Sequence, residues 1–95
     1  MVKAYLIAHI RVHDTNAYEK FKAMSGPAIA QHKGKVLVRN PSPDNREGEL
    51  RGTTILIEFE DMEAARNFYE SDAYTAARAV RETAAETDLL LVEGV

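Results

Sequence analysis

The first periodic segment of the chain, residues 4–12, alternates between apolar and mixed positions, as a half-buried β-strand does. One side of this strand is wholly apolar, and the other carries a histidine and an arginine. The two sets are Leu6, Ala8, Ile10 and Val12, and Tyr5, Ile7, His9 and Arg11. Apolar or alternating runs over residues 35–39, 53–60 and 88–93 predict three further strands.

The segment after the first strand has helical periodicity. Asp14 offers an N-cap carboxylate, and the apolar residues that follow share one helical face. Pro27 has no N–H and crowds the preceding turn, so we expect the helix to break there and a short second piece to cover residues 28–32. Gly34 is expected to take the left-handed position that ends it.

A second helical region follows the third strand. Asp61 favours a helix start, and Ser71 can cap a second piece after an interruption. Arg81 lies inside the apolar stripe of that second piece rather than opposite to it.

The resulting order is β-α-β-β-α-β, which is typical of an α+β, ferredoxin-like fold. In that fold two helices cover one face of a four-stranded antiparallel sheet. Residues 41–50 contain two prolines and several turn-forming residues, which predicts an exposed connection. We expect residues 1–95 to form a single domain.

Two helices cover only one face of such a sheet, so the other face is either exposed to water or covered by a partner. Its expected residues are Tyr5, Ile7, His9, Arg11, Leu56, Glu58, Leu91 and Glu93, joined by Leu37 and Arg39 if the second strand has the matching phase. Open to water, this mixture is ordinary. Closed against a second sheet, it forms a semi-polar cavity in which each charge needs a partner.

Several segments spread over nearly the whole chain carry a family resemblance. They are residues 4–14 with Tyr18, 32–39, 57–59, the Phe-Tyr-x-Ser-x-x-Tyr-(x)6-Arg motif of residues 68–81, and 92–94. Together they resemble the domain of unknown function 1330 (DUF1330) family of the dimeric α+β barrel superfamily. The resemblance implies a homodimer whose two sheets face each other, and it implies no particular activity. Lys33 stands where the family usually has a glycine.

Composition narrows the possible functions. The 95 residues include no cysteine, 45% are apolar, and the net charge is −3. A net negative charge does not attract a polyanion, so we expect no nucleic-acid partner. The absence of cysteine fits a cytoplasmic protein, and we expect no signal peptide and no membrane span. No phosphate-binding or dinucleotide motif is present, so no cofactor is predicted.

His9 is the best candidate for proton transfer, because imidazole titrates near neutral pH and either Glu58 or Glu93 could orient it. A hydrogen-bonded interface histidine is the alternative. His9 and His13 are separated by roughly 13 Å on a strand, so they do not form a metal pair and no metal is predicted.

Arg39 and Arg81 are candidates for holding a substrate carboxylate, which suits the paired donors of a guanidinium. The favoured alternative is that they form ion pairs with Glu58 or Glu93. Tyr69 and Tyr74 either present a hydroxyl to a ligand or pack in the core.

Two hypotheses of function stay open. One is cofactor-independent acid/base or oxygen chemistry on a small organic acid or aromatic molecule. The resemblance implies this hypothesis, because the superfamily includes muconolactone isomerases and quinone-forming monooxygenases. The other is a non-catalytic ligand-binding or assembly module.

Overall fold

The computed structural model describes residues 2–95. Its elements are β1 (Ala4–Val12), α1 (Thr15–Gln31), β2 (Lys35–Asn40), β3 (Thr53–Phe59), α2 (Met62–Glu70), α3 (Asp72–Ala84) and β4 (Ala85–Glu93). The sheet has the order β2-β3-β1-β4 with antiparallel neighbours, so β1 and β3 are central. This confirms the predicted ferredoxin-like α+β fold. None of the helices in residues 2–95 has the length and apolar character needed to cross a bilayer.

Side chains of the predicted type cap the helices. Asp14 and Asp61 accept hydrogen bonds from the backbone N–H groups of Ala17 (3.1 Å) and Ala64 (2.8 Å). The Ser71 hydroxyl accepts from the N–H of Tyr74 at 3.1 Å and so begins α3. The interruption predicted between α2 and α3 is therefore confirmed.

The predicted break in the first helix is wrong, because α1 runs without interruption through Pro27 to Gln31. Proline removes one helical hydrogen bond. Just beyond it, Ala28 and Ile29 are only 1% and 8% exposed. Burial of this apolar stripe offsets the lost bond, since packing supplies most helical stability in proteins.

The predicted phase of β4 is also wrong. Glu93 pairs with Ala4 and Leu91 with Leu6, so both lie in register with residues that face the helices. Val92 and Leu90 pair with Tyr5 and Ile7 and occupy the open face instead.

Strand β2 contains a bulge between Val36 and Val38. A bulge inserts one residue and reverses the facing of those that follow. As a result Val38 pairs with Leu56 on the open face, whereas Arg39 pairs with Ile55 on the helix-covered face. The expectation that Arg39 lies on the open face is therefore wrong.

The turn after α1 differs from its prediction by one residue. Lys33, not Gly34, has a positive φ of 58°. A Cβ atom on Gly34 would lie 2.8 Å from the Phe59 ring and 2.9 Å from Ile29 Cγ2, so glycine is required there by space. The left-handed conformation of Lys33 costs about 1–2 kcal/mol in a residue with a Cβ atom.

We therefore expect Lys33→Gly to raise the free energy of unfolding by about 0.5–1 kcal/mol, as the gain at positive φ exceeds the entropic cost of glycine. The matched change Gly34→Ala should lower it by about 1–3 kcal/mol through overpacking. Urea denaturation of both variants checks the pair. Destabilisation by Lys33→Gly would contradict the assignment of strain to Lys33.

Candidate functional site

A pocket lies between the helices and the covered face of the sheet. Its floor is apolar and includes Leu6, Ala8, Ile10, Ile55 and Ile57, while its polar lining consists of Tyr18, Lys22, Ser25, Arg39, Tyr74 and Arg81. No carboxylate lines the pocket, in a chain whose net charge is −3. The cavity volume is about 40 Å³, which is room for about three water molecules.

Arg81 is the deepest charge in this pocket. It lies in the last turn of α3 and is 5% exposed. This burial agrees with its place inside the apolar stripe of the helix. One guanidinium nitrogen, Nη1, donates to the Tyr74 hydroxyl, while Nε is buried without an acceptor. Its guanidinium carbon lies 5.6 Å from the centre of the Phe21 ring.

Neither Arg81 nor Arg39 forms an ion pair with any carboxylate in residues 2–95. The favoured interpretation, in which they pair with Glu58 or Glu93, is therefore wrong for the single chain. A buried charge is costly unless it is paired. Within the described part of the chain, Arg81 thus lacks a counter-charge at a position where one is needed.

The two phenols of the pocket are perturbed by burial. Burial raises the pKa of Tyr74 above its usual value, and the Arg81 cation opposes that rise. Burial likewise raises the pKa of Tyr18, against the lowering effect of Lys22, Arg39 and Arg81. Three cations from α1, β2 and α3 therefore act together on the Tyr18 hydroxyl.

The raised pKa of Tyr74 predicts a loss of stability in alkali. Its contribution is complete below the unfolded value near ~10 and is lost as pH rises through the higher folded value, because the unfolded phenol ionises first. We expect the free energy of unfolding to fall less between about pH 9 and 11.5 in Tyr74→Phe than in the parent. Urea titrations at several pH values measure this difference, and equal slopes would contradict it.

Three of the polar lining residues, Tyr18, Lys22 and Ser25, were not predicted as site residues. Ser25 is 6% exposed, although serine is polar, and its hydroxyl makes only a long 3.5 Å contact with the Lys22 carbonyl. The signal available in the sequence was a serine seven residues after Tyr18, on the same face of α1.

The open face of the sheet has a different character. One apolar residue from each strand forms a continuous row across the face, Val38–Leu56–Ile7–Leu90. Leu90 is 53% exposed and Val38 is 36% exposed. We call these four residues the apolar row.

Polar pairs flank the apolar row. The Tyr5 hydroxyl donates to Glu58 at 3.1 Å, and this bond raises the pKa of Tyr5. Arg11 forms an ion pair with Asp88 at 3.1 Å. A shallow depression beside His9 has a volume of about 380 Å³.

The structure does not bring His9 close to either predicted carboxylate partner. His9 Nδ1 lies 3.4 Å from the Thr54 hydroxyl. Glu58 pairs with Tyr5, and Glu93 lies in register with Ala4, so within one chain each is roughly 13 Å or more from the position of His9 along the strands.

The sheet separates the predicted site residues into two groups. Arg39, Arg81 and Tyr74 meet in the pocket on the helix side, whereas His9 and Glu58 lie on the open face. Tyr69 lies outside the pocket lining, packs against Tyr74 with ring centres 5.5 Å apart and accepts a hydrogen bond from Arg78 at 2.7 Å. Among residues 2–95, no three His, Asp or Glu side chains come together as a metal site.

A family model described as a domain of unknown function, DUF1330, matches residues 3–95. The chain belongs to the DUF1330 family. No curated protein matches this DUF1330 chain.

Solved structures share the fold at low sequence identity. A protein of unknown function from Rhodopseudomonas palustris has a TM-score of 0.73 at 16% identity, with 99% of the DUF1330 chain and 83% of the other covered. SnoaB, a cofactor-independent oxygenase from Streptomyces nogalater, has a TM-score of 0.69 at 13% identity, and the match covers 100% of the DUF1330 chain and 95% of SnoaB. A dimeric protein of unknown function with a ferredoxin-like fold from Bacteroides fragilis has a TM-score of 0.57 at 12% identity, with 97% and 96% covered. These likenesses show the ferredoxin-like α+β fold.

Proposed function

We propose that the chain binds a small carboxylic acid in the pocket between its helices and its sheet. The observation that carries this proposal is Arg81, a buried guanidinium with a free Nε and no carboxylate partner in the part of the chain that the structure describes. A bound carboxylate would supply the missing counter-charge.

The chemistry of the pocket favours a carboxylate over other anions of similar size. A guanidinium presents paired planar donors that match two carboxylate oxygens. The floor around Arg81 is apolar, which suits a hydrocarbon body. The Tyr74 hydroxyl, which already accepts from Arg81, has its own proton available for a ligand oxygen.

The volume of the pocket sets the size of the ligand. About 40 Å³ of cavity corresponds to about three waters, so the enclosed space admits only the carboxylate end of a small acid. A larger acid would have to extend toward solvent, and the exposed Arg39 is among the residues that line the pocket.

Catalysis on the bound acid is a second candidate. The fold is shared with SnoaB, a cofactor-independent oxygenase, and the phenols of Tyr18 and Tyr74 are proton donors within the pocket. The pocket contains no imidazole or carboxylate that would serve as a base, and His9 lies across the sheet. Binding is therefore the function that the geometry supports best.

Calorimetric titration with butyrate and with its neutral amide, butyramide, tests the proposal. We expect butyrate to bind and butyramide to bind at least tenfold more weakly, because only the acid neutralises Arg81. Arg81→Gln should abolish butyrate binding, whereas Arg46→Gln, on an exposed loop arginine paired with Asp44, should leave it unchanged. Equal binding of acid and amide, or undiminished binding by Arg81→Gln, would refute the proposal.

We also propose that two chains form a homodimer through the open face of the sheet. Support comes from the apolar row, which reaches all four strands, and from the dimeric Bacteroides fragilis protein of similar fold. Exposed contiguous apolar surface of this kind marks interaction sites. The cytoplasmic location and the lack of a nucleic-acid partner stay predictions from composition.

An aspartate in the apolar row should weaken this dimer. Ile7→Asp places an unpaired charge at the centre of the contact, and we expect at least a tenfold rise in the dissociation constant. Leu50→Asp, in an exposed loop, is the control and should have no effect. Sedimentation at micromolar concentration measures both; a parent chain that stays a 10.6 kDa monomer would refute the dimer.

A further inference from the structure

The geometry points to a ligand with two negative charges, so that the acid bound in the pocket is a short dicarboxylate. This inference rests on the proposed binding of a carboxylic acid at Arg81 and specifies the class of that acid. It is carried by the second arginine of the pocket, Arg39.

Arg39 and Arg81 lie at opposite depths of the same pocket. Arg81 is 5% exposed, whereas Arg39 is an exposed residue on the edge strand β2. The bulge in β2 turns Arg39 to the helix side of the sheet, where it lines the pocket. Both guanidinium groups therefore line one pocket, together with Tyr18 and Lys22.

Two of the three cations of the pocket have no ion-pair partner in the residues that the structure describes. Lys22 is already paired with Glu19 on α1 at 3.0 Å. Arg39 and Arg81 have no ion pair in residues 2–95. A monocarboxylate would neutralise the buried Arg81 alone, whereas a dianion would also attract the exposed Arg39.

The size of the cavity indicates how the two carboxylates are spaced. The enclosed space holds about three waters, which suits one carboxylate and the short hydrocarbon segment next to it. The next group along the ligand would reach toward solvent, where the exposed Arg39 of the lining is available to it. Succinate has this composition, and butyrate is its close analogue with a methyl group in place of the outer carboxylate.

Calorimetric titration of succinate, succinamate and butyrate at pH 7.5 and low salt tests the inference, with the fold of each variant checked by circular dichroism. We expect succinate to bind about tenfold more tightly than butyrate, with the singly charged succinamate close to butyrate. Arg39→Gln should weaken succinate about tenfold and change butyrate by less than twofold. Arg39→Lys should keep part of the preference, and the exposed control Arg46→Gln should keep all of it.

The outcomes separate this inference from the proposed function. If butyrate and succinate bind equally and Arg39→Gln has no effect, the pocket binds monocarboxylates. The inference of a dicarboxylate is then refuted, whereas the proposed function stands. An equal loss with Arg46→Gln would show a general charge effect and would also overturn the inference. If neither acid binds the parent chain, the inference and the proposed function fail together.

Discussion

Replacing Phe68 with alanine is expected to lower the free energy of unfolding by about 3–5 kcal/mol, the usual cost of removing a fully buried phenylalanine ring. Phe68 is 0% exposed. The centre of its ring lies 4.5 Å from that of Tyr74 and 5.2 Å from that of Phe59. It therefore joins both helices of the second half to β3, and its loss would leave a cavity that these rings cannot fill.

Urea denaturation of the purified variant measures this loss. The neighbouring exposed residue Asn67 provides the control, since Asn67→Ala should change the free energy of unfolding by less than about 0.5 kcal/mol. Phe68→Leu should cost less than the alanine change, because it leaves a smaller void. A cost below about 1.5 kcal/mol for Phe68→Ala would show that the core closes around the missing ring.

The double variant Arg81→Met/Tyr74→Phe should be more stable than the parent in the absence of ligand, by about 1–4 kcal/mol. This is the range found where buried ionic groups are replaced by apolar residues of similar volume. Both residues are buried, at 5% and 3% exposure, and they hydrogen-bond each other. Changing both together leaves no orphaned hydroxyl, whereas Arg81→Met alone leaves the Tyr74 hydroxyl without its partner and should gain less.

Thermal and urea unfolding of the single and double variants measure this effect, and calorimetric titration with butyrate measures the loss of binding. We expect the double variant to gain stability and to lose binding, the combination typical of a residue kept for function. A double variant less stable than the parent would mean that Arg81 serves the fold, and the case for a bound acid would lose its main support.

The sequence was most informative where hydrophobic alternation was unbroken. In β1 the regular alternation predicted the correct facing of Leu6 and His9. The run from Leu89 to Val92 contains only large apolar residues, so its facing could not be read from the pattern, and Glu93 was misplaced with it. Pairing to β1, a long-range contact, decides the facing of this strand.

The candidate site was only partly predictable. Arg81 stood out as a cation in an apolar stripe, and its burial is confirmed. Arg39 was placed on the wrong face because a bulge leaves no mark in the hydrophobic pattern of a six-residue strand. The catalytic role of His9 with Glu58 or Glu93 stays a prediction, and within one chain it lacks the contacts that would support it.

The bulge in β2 also has an evolutionary consequence. Because Leu37 is the inserted residue, deletion of its single codon would restore regular pairing and leave Val38 and Arg39 on the faces that they now occupy. Loss of the bulge without a deletion would instead shift the end of the strand by one residue and exchange Val38 and Arg39 between the two faces. We therefore expect relatives that are one residue shorter in this strand to keep the cation in the pocket, and relatives of the same length with a regular strand to carry it on the open face.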